Sequence, residues 1–163
     1  MEFKKIPASH IITQQFLTLI RAELSGTVDP GLGIILKELK QANLSLRFCA
    51  FENYLTQKIL YLGVDLLSEE NEEALLETFT HTANCEDLTF ISQVGKIMVY
   101  GPHFGEVPGI LGVTFSALSR SRVTPLAISA SSSSLSWLFS PQQFKPALEV
   151  IYNLFEFPKN YSL

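Results

Sequence analysis

The chain has 163 residues, of which 47% are hydrophobic and 17% are charged, and its formal net charge is −4. The hydrophobic fraction supports a real core and excludes disorder, and the length suits one ordinary domain or two very small ones. The negative charge argues against nucleic acid as a partner, and the sequence lacks both an apolar run of about 18 residues for a membrane span and an apolar signal core. Cys49 and Cys85 lie outside any CxxC motif, so we expect reduced thiols in a cytoplasmic protein.

The order of predicted elements repeats after roughly 80 residues. The first copy begins QQFLTLIRAEL followed by SGTVDPGLG, and the second begins GKIMVYG followed by PHFGEVPGI. Each copy reads as strand, glycine-bearing loop, helix, strand, strand and helix. The sequence therefore predicts two similar small units.

In the first copy, the apolar run 16–20 predicts a strand. Asp29 followed by Pro30 predicts a helix start, because an acceptor at the N-cap precedes proline at the first helical position. Two further strands are predicted around residues 48–50 and 59–64, with a turn at Glu52–Asn53. A second helix opens at Ser68, and a last strand covers residues 88–94.

In the second copy, residues 97–100 predict the first strand, and Val107–Pro108–Gly109 opens a helix. After Pro125, which has no N–H for a central ladder, a strand is predicted from Leu126. Alternating Leu135, Trp137 and Phe139 predict its half-buried partner, and Ser140–Pro141 predicts the start of the last helix.

The second copy ends near Phe157, which leaves no room for a strand after its last helix. We therefore expect the N-terminal segment Phe3–Ile6 to complete the sheet of the second unit. This places residues 11–95 in the first unit, and residues 96–163 together with 1–10 in the second.

The βαββαβ order, with D-P-G before the first helix and V-P-G before the second, resembles the ACT domain. The second copy, GKIMVYGPHFGEVPGILGVTFSALSRSRVTPLAISASSSSLSWLF, is similar to the last ACT unit of aspartate kinases. The first copy is similar to the preceding unit, with Phe51–Glu52 where that family usually has Ser–Glu. The resemblance implies an α+β fold of two ferredoxin-like ACT units, each an antiparallel sheet backed by helices, with the N-terminal strand completing the second unit.

The resemblance also implies that an amino-acid effector binds at the two glycine loops, 25–33 and 103–110. Unpaired N–H groups at a helix N-terminus suit a ligand carboxylate; the alternative is that the two loops only turn the chain. The candidate ligand-binding residues are Ser25, Thr27, Val28, Asp29, Pro30, Gly31, Leu32 and Glu52 in the first copy, and Phe104, Gly105, Glu106, Val107, Pro108, Gly109, Ile110 and Ser129 in the second.

The departures from the family argue against a basic effector. Ser45 and Leu46 stand about where aspartate kinases often carry an Asp that binds a basic effector, and Phe51 replaces a hydroxyl. We therefore expect a neutral or small amino acid rather than lysine, bound without a cofactor or a metal.

No catalytic constellation is visible, and His10, His81 and His103 lack the spacing of metal ligands. We expect a non-catalytic amino-acid sensor that regulates a partner or an attached enzyme. Two alternatives remain open: a structural dimerisation module with degenerate pockets, or the detached regulatory region of an aspartate kinase-like enzyme. The low charge content and the sheet edges of such small units predict a homodimer.

Overall fold

The computed structural model describes residues 5–25, 29–54, 57–82 and 85–158. The chain divides into two compact units. Residues 16–93 form one unit, here called the inserted unit, and residues 1–15 together with 94–163 form the other, here called the terminal unit. The sequence-based division set the boundaries at residues 11 and 95, a few residues away.

The elements, in chain order, are β1 (Ile6–Pro7), β2 (His10–Leu24), α1 (Asp29–Gln41), β3 (Leu46–Tyr54), β4 (Gln57–Asp65), α2 (Glu69–Thr82), β5 (Cys85–Tyr100), a 3-10 helix (Phe104–Glu106), α3 (Ile110–Arg120), β6 (Ala127–Ala130), β7 (Ser134–Phe139), α4 (Pro141–Leu154) and β8 (Phe155–Glu156). None of the helices within the described residues has the length and apolar content needed to cross a bilayer.

In the inserted unit the strand order is β3–β4–β2–β5, with β4 antiparallel to both β2 and β3. Alternate residues of β2 and β4 face the helices, as the period of a half-buried strand requires. The buried residues of this core are Ile20, Ala22, Leu24, Ile35, Leu39, Leu60, Leu62, Val64, Leu67, Leu75 and Phe79. The predicted helix starts are confirmed: α1 begins at Asp29, and the Ser68 hydroxyl accepts the N–H of Asn71 at 3.2 Å.

The predicted turn at Glu52–Asn53 is wrong. Both residues lie within β3, where Glu52 pairs with Ile59 and Asn53 pairs with Lys58. The ladder continues to Tyr54 opposite Gln57. Asn53 belongs to a residue type that favours turns, but it stays in the strand with Glu52 because both are paired with β4.

In the terminal unit the strand order is β2–β5–β7–β6. The antiparallel hairpin of β6 and β7 is confirmed, with Ala130 opposite Leu135. Trp137 and Phe139 are fully buried and pack with α3 and α4 in one core, together with Ile97, Val99, Phe104, Ile110, Leu118, Leu135, Phe144, Ala147, Ile151 and Phe155. The Ser140–Pro141 start of α4 is also confirmed.

The N-terminal segment pairs differently from the expectation. Ile6 and Pro7 form a two-residue parallel ladder with Phe155 and Glu156, so a short strand does follow the last helix. The strand that enters the main sheet of the terminal unit is the beginning of β2, from His10 onward. Phe3 lies outside the described residues. Ile6 is buried in the same core as Leu154 and Phe155, at the end of α4.

The strands predicted separately at residues 88–94 and 97–100 are one continuous strand, β5. It passes from the inserted unit into the terminal unit, and β2 passes in the opposite direction. Each strand has one non-glycine residue in the left-handed region near the unit boundary, Phe16 at φ 58° and Gln93 at φ 59°. Such a residue locally interrupts the pleat, as in a β-bulge.

Candidate functional site

The loop between β5 and α3 is held by the serine-rich turn of the β6–β7 hairpin. The Gly101 N–H donates to the Ser133 carbonyl at 2.8 Å, and the Gly105 N–H donates to the Ser132 carbonyl at 2.7 Å. A side chain would be crowded at both glycines. A Cβ on Gly101 would overlap the ring of Phe104, and a Cβ on Gly105 would lie 3.2 Å from the Ser132 Cβ.

Several amides of this loop are already hydrogen-bonded. The N–H groups of Phe104, Glu106 and Val107 donate to carbonyls within the loop, at 3.0–3.2 Å. The first bond of α3 joins the Val113 N–H to the Gly109 carbonyl at 3.0 Å, so the amides of residues 110–112 precede the intrahelical ladder. The backbone N–H groups that could bind a carboxylate are therefore those in the first turn of α3, at the positive end of the helix dipole.

The side chains of the candidate loop separate into two groups. Phe104 and Ile110 are buried in the terminal core, and the Phe104 ring lies 5.7 Å from the Phe155 ring. Exposed residues occupy the stretch between them: Gly105, Glu106, Val107, Pro108 and Gly109. Gly109 has φ 77° and begins α3 as its N-cap, which explains glycine at this position. Phe104 and Ile110 thus anchor the two ends of the loop in the core, and the residues between them are accessible to a ligand.

The Glu106 carboxylate lies 3.3 Å from the His103 imidazole, and both side chains are about three-quarters exposed. The His103 ring therefore competes with a ligand for the Glu106 carboxylate, which is one of the predicted ligand-binding groups. Ser129 is half-buried on β6 opposite Ser136, near the same hairpin end that holds the loop.

The corresponding loop of the inserted unit is described only in part. Ser25 follows the last residue of β2 and is half-buried. Thr27 and Val28 lie outside the described residues. The backbone of Asp29, Pro30, Gly31 and Leu32 forms the first turn of α1, as predicted.

Glu52 lies at the same end of the inserted sheet as the start of this loop. It is exposed on β3 opposite Ile59 of β4, and Ile59 is in turn opposite Glu23 of β2. Since neighbouring strands are about 4.8 Å apart, Glu52 is roughly 10 Å from Glu23 across the sheet. Ser25 is two residues beyond Glu23, so the structure brings Glu52 and the loop entrance to one sheet end.

An acidic group that was not predicted from the sequence lies beside Ser45 and Leu46. The Asp65 carboxylate accepts the Arg47 guanidinium at 2.8 Å and the Ser45 N–H at 3.1 Å. The hydrogen bond from Arg47 lowers the pKa of Asp65 despite some desolvation. The carboxylate near this position is therefore already paired. The register of β3 with β4, in which Leu46 is opposite Val64, brings Asp65 to this position, and no local sequence signal indicates that register.

A second charged cluster lies on β2 and β5 of the inserted unit. Arg21 contacts the carboxylates of Glu23 at 3.3 Å and Asp87 at 2.9 Å. The positive charge of Arg21 is thus balanced by two carboxylates. Within the described residues, no group of three or more His, Cys, Asp or Glu side chains could hold a metal ion.

No protein-family model matches this sequence, and no curated protein matches it in sequence. Solved structures do match its fold. The aspartate kinase of Clostridium acetobutylicum matches with a TM-score of 0.77 at 17% identity, over 96% of this chain and 36% of that chain. The ligand-free regulatory subunit of aspartate kinase from Thermus thermophilus matches with a TM-score of 0.75 at 14% identity, over 91% of this chain and 99% of that chain.

This chain has the fold of an aspartate kinase regulatory region. The predicted fold class, two ferredoxin-like ACT units with antiparallel sheets and helices, is therefore confirmed. A third match, E. coli aspartokinase III in complex with lysine and aspartate, has a TM-score of 0.68 at 17% identity, over 93% of this chain and 34% of that chain. The chain thus spans about a third of the aspartate kinases and nearly all of the separate regulatory subunit.

Proposed function

We propose that the chain is a non-catalytic regulatory protein or subunit, a tandem ACT module that binds a small amino acid and regulates a partner or attached enzyme. The observation that carries the proposal is the extent of the fold match: 99% of the separate regulatory subunit from T. thermophilus and 34% of a lysine-bound aspartokinase. The matches cover more than nine-tenths of this chain, which contains the two glycine loops predicted to bind an effector.

The first turn of α3 is the better described of the two proposed anchors for the ligand carboxylate. The amides of residues 110–112 precede the helix ladder, and exposed Gly109 leaves space in front of them, since a Cβ there would meet no atom within 4 Å. The ligand amine would face the Glu106 carboxylate. The proposal also keeps Ser129, Glu52 and the first turn of α1 as ligand-binding groups.

The ligand side chain in this proposal is neutral or small. Asp65 is paired with Arg47, and Leu46 and Phe51 present exposed apolar surface on β3 where a charged side chain would need a partner. A lysine side chain would find little compensation there.

The proposal includes a homodimer in the cytoplasm. The edge strand β3 exposes Leu46 and Phe51, and such an edge can pair with a second copy. Cys49 and Cys85 are free thiols, which persist in a reducing compartment. Binding would regulate by favouring one subunit arrangement over another, so the effector needs a different affinity for each.

A structural dimerisation module is the second candidate. The observation that favours it is the internal hydrogen bonding of the β5–α3 loop, where the amides of Phe104, Gly105, Glu106 and Val107 already have partners. A loop whose donors are satisfied can simply turn the chain.

Calorimetric titration of the full chain with the twenty amino acids separates the candidates. We expect Kd values in the micromolar-to-millimolar range for one or more neutral or small amino acids. Gly109→Asp should weaken binding strongly, because its carboxylate repels that of the ligand. Gly109→Asn is the matched control, since Asn has the same shape, tolerates the left-handed region and carries no charge. Tight binding of lysine would contradict the side-chain argument, and an absence of all binding would favour the dimerisation module.

A further inference from the structure

The helical layer of the terminal unit contains an open groove that meets the proposed effector site at Gly109 and extends well beyond it along α3. Its volume is about 770 Å³, within the range of small-molecule sites. One wall is α3 with its flanking residues, from Gly109 to Ser121, and the other is the end of α4 around Val150 and Leu154. Lys5, just before β1, also lines the groove.

The two helices are antiparallel along the groove. The Thr124 N–H, just beyond α3, donates to the Gln143 side chain in the first turn of α4 at 2.6 Å, so α3 ends where α4 begins. Lys5 is adjacent to Ile6, which pairs with Phe155 directly after α4. Lys5 therefore lies toward the start of α3, and Arg120 lies toward its end, roughly 12 Å along the helix from Gly112.

The charge of the groove is opposite to that of the whole chain. The protein has a net charge of −4, yet Lys5 and Arg120 line the groove and none of its described lining residues is acidic. Neither cation forms an ion pair with any described residue, whereas Arg21 and Arg47 both do. Lysine and arginine without counter-charges at the two ends of a concave surface attract an anion.

The lining of the groove between Lys5 and Arg120 is mostly apolar. Val113, Ala117, Val150 and Leu154 line it between the cations, and Gly112 leaves open space because a Cβ there would meet no atom within 4 Å. Ser116 and Asn153 add neutral hydrogen-bonding groups. A ligand here would bury an apolar body and place its anionic group at Lys5 or Arg120.

We propose that this groove binds a small organic anion with an apolar body and a carboxylate or phosphate head. The groove shares Gly109 with the proposed effector site, but its ligand needs no α-amino group and reaches Lys5 and Arg120, which the effector proposal does not use.

The test is calorimetric titration of the full chain with octanoate, octyl phosphate and the neutral analogue octanol. We expect binding of at least one anion, weakened at least fivefold by Lys5→Met or Arg120→Met and weakened by high salt. Lys145→Met is the matched control, since Lys145 is exposed on α4 outside the groove and its loss should change nothing. The anion that binds more tightly identifies the head group.

Gly112→Leu tests the location without threatening the fold. Leucine is a better helix former than glycine, and its side chain would fill the groove. Anion binding should disappear while the melting temperature is kept or raised. Octanol binding as tightly as the anions, no binding of either anion, or unchanged binding to Gly112→Leu would each overturn the proposal. Because the probes carry no amine, this result does not depend on the amino-acid titration.

Discussion

Replacing Gly101 by alanine should destabilise the terminal unit through a single steric conflict. A Cβ at this position would overlap the ring of Phe104, which is buried and packs against Phe155. Gly101 is not among the residues with positive φ, so the effect comes from packing rather than from backbone strain. The ring has little room to move, because the Gly101 and Gly105 amides tie the loop to the hairpin turn.

Over-packing of this kind typically costs about 1–3 kcal/mol. For a chain of this length, that loss lowers the melting temperature by roughly 3–9 °C. The chain has one tryptophan, and Trp137 is fully buried in the terminal unit. Urea unfolding followed by tryptophan fluorescence therefore reports on the unit that contains Gly101.

Two further variants test the packing of the Phe104 ring over Gly101. Gly112→Ala adds the same methyl group in open space on α3, and we expect it to stabilise the same transition by about 0.5–1 kcal/mol. Phe104→Leu removes the ring edge, so the double variant with Gly101→Ala should lose less than the sum of the single losses. If Gly101→Ala unfolds at the wild-type urea concentration, or if the two changes simply add, the ring does not pack over Gly101 as described.

Three other predictions concern charge, the N-terminal segment and assembly. Asp65→Asn should lower the free energy of unfolding at pH 7 by less than about 1 kcal/mol, as for an exposed pair. Because Arg47 lowers the pKa of the folded-state carboxyl below 3.8, this difference should shrink as pH falls from that value through the folded-state pKa; a constant difference down to pH 2 would contradict it. Deleting residues 1–7 should cost about 1–3 kcal/mol in the same fluorescence assay, because buried Ile6 and its ladder are lost; an unchanged transition would refute this pairing. Light scattering at tens of micromolar should give a dimer mass, which Phe51→Glu should reduce, and a monomeric wild type would contradict the edge-pairing argument.

The local signals in the sequence predicted most elements correctly. Asp29–Pro30 and Ser140–Pro141 mark the starts of α1 and α4 because a helix start depends on a few neighbouring residues. The β6–β7 hairpin followed from alternation around Trp137, since the pleat alternates sides with every residue. The glycine loops were found for the same reason, because a close approach or a positive φ requires glycine at Gly101 and Gly109.

Pairing between distant segments was decided only by the tertiary structure. The sequence predicts two strands within residues 88–100, but hydrogen bonding in both units makes them one continuous strand, β5. Glu52 was predicted in a turn, but it stays extended because β4 pairs with it. Ile6 pairs with Phe155, and Arg47 with Asp65, through registers that local patterns do not encode. The cationic groove has the same origin. Lys5 and Arg120 belong to opposite parts of the sequence, and only the antiparallel packing of α3 and α4, closed by the N-terminal segment, places both along one concave surface.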